Sequence, residues 1–171
     1  MTVKAGEILT AETVPKYLEE RWESEQLAKA IFGVSDDDDD DDERASASAI
    51  LTLTAEEALK GIQVNIIQGG NVNYAFCIEL PALANKKLFM KQAPEFVAIF
   101  GPDGFPLTSE RMQREMDAYS EWKTILGETL SSKYLPDIYY FDSEYSKVQY
   151  SYNTVQVLIA AGDYCRHHDM V

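Results

Sequence analysis

Residues 63–92 read QVNIIQGGNVNYAFCIELPALANKKLFMKQ, and the period of this stretch decides the fold. Val72, Tyr74, Phe76, Ile78 and Leu80 alternate with Asn73, Ala75, Cys77 and Glu79, which is the spacing of two expected for a strand with one face on a core. Strands flank Gly69-Gly70, and a third, KKLFMKQ, follows the turn PALAN, so residues 63–92 predict a three-stranded antiparallel meander. Downstream, residues 93–106 form a loop punctuated by Pro94, Gly101, Pro102, Gly104 and Pro106. A helix then starts with Thr108 as N-cap and Glu110 at the positive end, and Leu107 is placed to pack on Met112. Its apolar stripe is Met112, Met116, Tyr119, Trp122 and Leu126, and Gly127 stops it. A further strand or strand pair is expected in residues 134–152, with a hinge-like strand around residues 148–152.

Upstream, Thr54 and Glu57 make a capping box for the short helix AEEALKG, closed by Gly61. Residues 10–33 place Val14, Tyr17, Leu18, Trp22, Leu27 and Ile31 near helical spacing, with Thr10 or Thr13 as cap, and read as one broken helix or two short ones. Between these lies VSDDDDDDDERASASA, whose like charges repel and whose residues offer no core contact, so a solvated insert is expected. The resulting division is a helical segment at 1–34, a disordered acidic insert at 35–49, an α+β unit at 50–152 and a divergent tail at 153–171.

The net charge of −14 excludes several partners. Residues 36–43 carry −8 of it, which leaves −6 on the rest of the 171-residue chain. A mildly acidic surface repels phosphate backbones and anionic lipid headgroups, so neither nucleic acid nor a membrane surface is an expected partner. No stretch approaches the roughly 20 apolar residues of a membrane span, and the first 20 residues lack a signal or transit pattern. A cytoplasmic location follows as the expectation. Cys77 and Cys165 are too far apart in sequence to suggest a zinc motif, and both read as ordinary thiols.

Three features carry chemistry. The turn Gly69-Gly70-Asn71-Val72-Asn73 can bring backbone N–H groups against phosphates, although a Gly-Gly hairpin also forms for steric reasons alone. Lys91 sits inside an apolar strand, where a buried ammonium needs a counter-charge or a ligand. Glu115 lies three residues after Met112 and four before Tyr119, so it projects from the apolar stripe of the next helix. Either residue alone reads equally well as an edge position with a solvated tip. Together the two anomalies cancel if the helix packs on the sheet with Glu115 against Lys91. Glycine turn, strand lysine and helix glutamate follow the order of parts in the small lobe of protein-kinase-like phosphotransferases.

These residues also resemble a specific family, the 5-methylthioribose kinases of methionine salvage. Gly69-Gly70-Asn71-Val72-Asn73 is similar to that family's Asp-Gly-Asn-Leu-Asn turn, and KLFMKQA to its lysine strand ending Lys-Gln-Ala. FPLTSERMQREMDAYSEW resembles its Trp-Pro-Leu-Thr approach to the glutamate helix, and LPDIYYFD its Pro-Glu-Val-Tyr-His-Phe-Asp strand. The likeness spans residues 61–142. It departs at Gly69, where the family has Asp, and at Phe89, where a smaller residue usually lines the adenine pocket. The choline and aminoglycoside kinases share the lobe but are less similar in these strings.

The resemblance implies an α+β, protein-kinase-like small lobe over residues 50–152, with Gly70, Asn71, Asn73, Lys91 and Glu115 binding ATP. It implies ATP-dependent phosphorylation of the 1-hydroxyl of 5-methylthioribose, with Mg2+, by a homodimer. The family continues into a large lobe that carries the catalytic aspartate and the metal ligands, whereas this sequence stops at Val171, so no turnover is expected from the chain alone. His167-His168-Asp169 mimics a catalytic-loop string, but only 14 residues separate Tyr152 from His167, too few for the scaffold that would present it. The alternatives are a noncatalytic nucleotide-binding or protein-interaction module and an incomplete gene product.

Overall fold

The computed structural model describes residues 7–22, 27–28, 31, 53–142 and 156–161. The fold is α+β. Helix α1 spans Val14–Trp22 and the one-turn helix α2 spans Ala55–Ala58. Strands β1 (Gln63–Ile66), β2 (Tyr74–Leu80) and β3 (Lys86–Ala93) form the antiparallel meander that the alternation predicts. Helix α3 (Arg111–Tyr134) then leads to β4 (Ile138–Asp142) and β5 (Gln156–Ala161). All pairings are antiparallel and the strand order is β1-β2-β3-β5-β4, so β5 inserts between β3 and β4.

The pleat sorts the side chains of the meander onto two faces. Phe76 pairs with Met90 and Ile78 with Leu88, and all four are buried with Leu80. Leu9, Val14, Tyr17, Leu18 and Trp22 cover this face, so α1 and the sheet share one core. Val14, Tyr17, Leu18 and Trp22 recur at three- and four-residue intervals, the stripe that lets a helix lie on a sheet. Gln92 belongs to the same face and fastens the N-terminal segment to it. Its amide oxygen accepts from Leu9 N–H at 2.9 Å and its amide nitrogen donates to Glu7 O at 3.0 Å. On the opposite face Cys77 pairs with Phe89, Ala75 with Lys91, and Glu79 with Lys87, the last as an ion pair of 2.7 Å.

Several local expectations agree with the coordinates. Thr54 and Glu57 cap α2 reciprocally, Thr54 N–H donating to Glu57 Oε2 at 3.0 Å and Glu57 N–H to Thr54 Oγ1 at 3.3 Å. The Thr54 N–H and the Thr54 hydroxyl, which donates to the same Glu57 Oε2 at 2.8 Å, hold the Glu57 carboxyl below its ordinary value. Thr10 and Thr13 exchange comparable bonds ahead of α1, at 2.9 and 3.3 Å.

Other expectations are corrected. Thr108 is not the N-cap of α3; Glu110 is, without a side-chain bond, while Thr108 Oγ1 accepts from Glu110 N–H. Gly127 breaks the helical path (φ 69°, ψ 171°), but the chain resumes its helix and runs to Tyr134. The sheet extends to Ala161, past the boundary at residue 152, because β4 and β3 both need a partner edge and β5 fills it. Cys77 is disulfide-bonded and not an ordinary thiol, a pairing that no local pattern around it announces. Gly33, the acidic insert, residues 148–152, Cys165 and His167-His168-Asp169 lie outside the described residues.

The PALAN turn contains Ala84 and Asn85, both left-handed at φ 55° and 57°. Asparagine tolerates that region, but alanine meets its Cβ clash there. Ala84→Gly is expected to stabilise the fold by up to about 1 kcal/mol, read as a higher midpoint in urea denaturation. An unchanged or lower midpoint would mean that the turn relaxes without cost.

Candidate functional site

Lys91 and Glu115 meet. Lys91 Nζ donates to Glu115 Oε2 at 2.5 Å, joining the third strand to α3. Burial is not what forces the pair, since the Lys91 side chain is 22% exposed and that of Glu115 48%. The pair is therefore worth little to stability, at most about 1 kcal/mol for a solvated ion pair. Its value is positional: it fixes an ammonium group at a defined place on the sheet face opposite α1.

The glycine turn joins β1 to β2, and β2 begins beside Lys91, which pairs with Ala75. Gly69 takes φ +93°, a conformation that glycine allows and an L side chain resists. Gly70 and Asn71 are exposed. A Cβ on Gly70 would come within 3.3 Å of Asn73 O, so the bend is closely wrapped on itself. The carbonyls of Asn71 and Val72 accept from Ile99 N–H at 3.0 Å and Ala98 N–H at 3.2 Å. By contrast, among the described residues the N–H groups of Gly69, Gly70, Asn71 and Val72 donate to nothing. At Asn71 and Val72 the carbonyls are thus engaged and the N–H groups open, the polarity that suits an anion.

The segment that engages those acceptors is more ordered in design than a plain loop. Val97 N–H donates to Phe105 O and Leu107 N–H to Glu95 O, both at 2.9 Å, so residues 95–107 fold back as a ribbon. Gly104 is required inside it, because a Cβ there would fall 2.4 Å from Phe100 Cβ. The rings of Phe100 and Phe105 stack edge to face at 5.3 Å above the ribbon.

Arg111, which the sequence reading did not single out, ties these parts together. Its Nε and one Nη donate to Asn73 Oδ1 at 3.1 and 2.8 Å, and the same Nη donates to Val72 O at 3.3 Å. The other Nη donates to Leu107 O and Thr108 O at 3.1 and 2.6 Å. Arg111 and Glu115 are four residues apart and so share one face of α3. That single face reaches the turn with one residue and the lysine with the other. Burial lowers the Arg111 pKa from its ordinary value, opposed by Glu115, yet a guanidinium stays charged. A signal for Arg111 was present in the sequence: a cation in the first turn of a helix opposes the macrodipole, so it needs a compensating partner.

Between the sheet and α3 opens a cavity of about 380 Å3, lined by Phe89, Met116, Tyr119, Trp122 and Ile138, with Lys91 and Glu115 at its polar end. Tyr119 OH donates to Pro136 O at 2.5 Å and so braces α3 against the segment leading into β4. Phe89 lies two residues before Lys91 on the same strand face, which puts a large ring beside the ammonium group. An apolar wall with a few charged atoms at one end suits an aromatic ligand carrying a polar group. Along the helix Trp122, Ile125, Leu130 and Tyr134 are exposed, so the predicted stripe is buried at Met112, half-buried at Met116, Tyr119 and Leu126, and open at Trp122.

Among the described residues no three His, Cys, Asp or Glu side chains gather to hold a metal ion, and no helix is long and apolar enough to cross a membrane. The resemblance places the magnesium ligands in the large lobe, and no step is assigned to that metal. No protein-family model matches this chain, and no curated protein matches it.

Proposed function

We propose that this chain is the nucleotide-binding lobe of a kinase-like phosphotransferase of the 5-methylthioribose kinase type. The observation that carries the reading is the 2.5 Å Lys91–Glu115 pair, set beside a glycine turn whose N–H donors are open. In this reading Lys91 contacts the α and β phosphates of ATP, Glu115 keeps the ammonium from swinging into solvent, and the donors of Gly70 and Asn71 cover the phosphates. Asn73 serves differently. Its side-chain oxygen is engaged by Arg111, so it shapes the turn, and its remaining N–H donors are what it can offer a nucleotide. The α+β sheet with a helix crossing from β3 to β4 supports the kinase-like small lobe. The sugar acceptor, 5-methylthioribose, comes from the sequence resemblance alone.

Phosphoryl transfer needs the acceptor hydroxyl placed in line and the transferred group neutralised. The residues assigned here bind and orient the nucleotide and perform neither task. The lobe is accordingly expected to bind ATP without turning it over. Titration of a fluorescent ATP analogue is expected to show binding that falls about tenfold or more in Lys91→Ala, the loss of one charge-assisted contact to phosphate. Equal affinity of wild type and variant would remove the phosphate role of Lys91, and the proposal with it.

A second reading, a noncatalytic interaction module, draws on the apolar surface of Trp122, Ile125, Leu130 and Tyr134 on α3. Binding of nucleotide by wild type that is indifferent to Lys91 would favour it.

A further inference from the structure

We infer that Arg111 is a positioning residue that holds the glycine turn in a state ready for the polyphosphate of a nucleoside triphosphate. The inference rests on the phosphotransferase reading and adds to it a residue with no contact to the ligand.

The argument starts from the polarity of the turn. A bend of small residues presents carbonyl oxygens as readily as N–H groups, and an outward carbonyl repels phosphate as strongly as an N–H attracts it. Here the carbonyls of Asn71 and Val72 are occupied, while among the described residues those of Gly69 and Gly70 accept from nothing. Val72 O accepts from Ala98 N–H and from Arg111, and Asn71 O accepts from Ile99 N–H. Arg111 also grips Asn73 Oδ1 with two of its nitrogens, closing the base of the turn. Its remaining bonds run to Leu107 O and Thr108 O, at the end of the ribbon that supplies Ala98 and Ile99. One planar cation therefore links the turn, the ribbon and the first turn of α3.

Each acceptor of these bonds is a neutral oxygen, so the guanidinium adds positive potential near the open donors of Gly69 to Val72. A lysine at 111 would keep the charge but not the fork that reaches two separated sites at once. Preorganisation of this kind strengthens binding by removing the cost of ordering the turn when the ligand arrives.

The experiment compares wild type with Arg111→Gln, Arg111→Lys and Asn73→Ala by two readouts. Amide hydrogen exchange at Ala98 and Ile99, whose N–H groups donate to the carbonyls of Val72 and Asn71, is expected to accelerate in all three variants of the nucleotide-free protein. Affinity for ATP is expected to fall about tenfold, while affinity for adenosine, which lacks phosphates, stays within twofold of wild type. Combining Arg111→Gln with Asn73→Ala is expected to cost no more than either alone. Should the Arg111 variants lose their far-ultraviolet circular dichroism, Asn73→Ala decides. Equal losses of ATP and adenosine affinity, full rescue by lysine, or unchanged exchange at Ala98 and Ile99 would each overturn the inference. Lys91→Ala with unaltered ATP affinity strikes the phosphotransferase reading instead, so the two failures are separable.

Discussion

Asp142→Ala is expected to lower the stability of the fold by about 3 kcal/mol, the cost of leaving the partners of a buried charge without it. Asp142 is buried at the end of β4, where Oδ2 accepts from Tyr17 OH at 3.1 Å and from Arg21 at 2.8 Å through Nε and an Nη. These contacts fasten α1 to a strand more than a hundred residues away in sequence. Arg21 is a quarter exposed and recovers part of its hydration after the substitution, which keeps the estimate at the lower end for a broken buried pair. Asp142→Asn keeps an acceptor and is expected to cost less than Asp142→Ala. Urea denaturation followed by circular dichroism measures both, and a loss under about 1 kcal/mol for alanine would show that the cluster is dispensable.

The same cluster sets an alkaline limit. Burial first, and then the Asp142 charge, push the Tyr17 hydroxyl well above its ordinary value of 10.0. The folded state thus favours the protonated phenol. Its contribution is complete below the ordinary tyrosine range and is lost as pH rises through the raised folded value. Stability is expected to decline in strongly alkaline buffer, and Tyr17→Phe is expected to flatten that part of the decline.

Phe76→Ala is expected to cost about 3–5 kcal/mol, the range for emptying an aromatic site in a packed core. Phe76 is 1% exposed, pairs with Met90 in the neighbouring strand and faces the side of the sheet that α1 covers. Neither layer collapses easily into the gap, because Gln92 holds the segment leading into α1 and Asp142 holds Tyr17 and Arg21 on α1 itself. Phe76→Leu keeps most of the volume and is expected to cost under about 1.5 kcal/mol. If the two substitutions were equally costly, shape rather than volume would be the controlling property at this site.

The two substitutions also show where sequence reading succeeds and where it stops. Phe76 was legible, since strict alternation from Val72 to Leu80 marks the inward residues without knowledge of what covers them. Asp142 was not. An acidic residue at a strand end reads as solvent-exposed unless Tyr17 and Arg21 are known to arrive there. The helix stripe shows an intermediate case: the spacing of Met112, Met116, Tyr119 and Trp122 is helical, yet the sheet is narrow enough that Trp122 stays exposed. Periodicity reports which residues share a face and cannot report how far the opposite surface extends.

At the candidate site, Lys91 and Glu115 were recognisable because each is out of keeping with the apolar residues on its own element. Asn73 and Arg111 were harder, for the asparagine looks like an ordinary turn residue and the arginine like an ordinary surface residue.

By itself the sequence determined the meander and the capping box of α2, and it marked Gly127 as an interruption without showing that the helix resumes. These follow from rules acting over a few residues or across a single connection: alternation, capping and the left-handed freedom of glycine. Only the tertiary structure decided that β5 enters between β3 and β4, that α1 and not α3 covers the main core, that Cys77 is bonded, and that Arg111 grips the turn. Those contacts join segments whose separation along the chain carries no periodic signal. They are fixed by the competition of whole surfaces for burial, which no local pattern records.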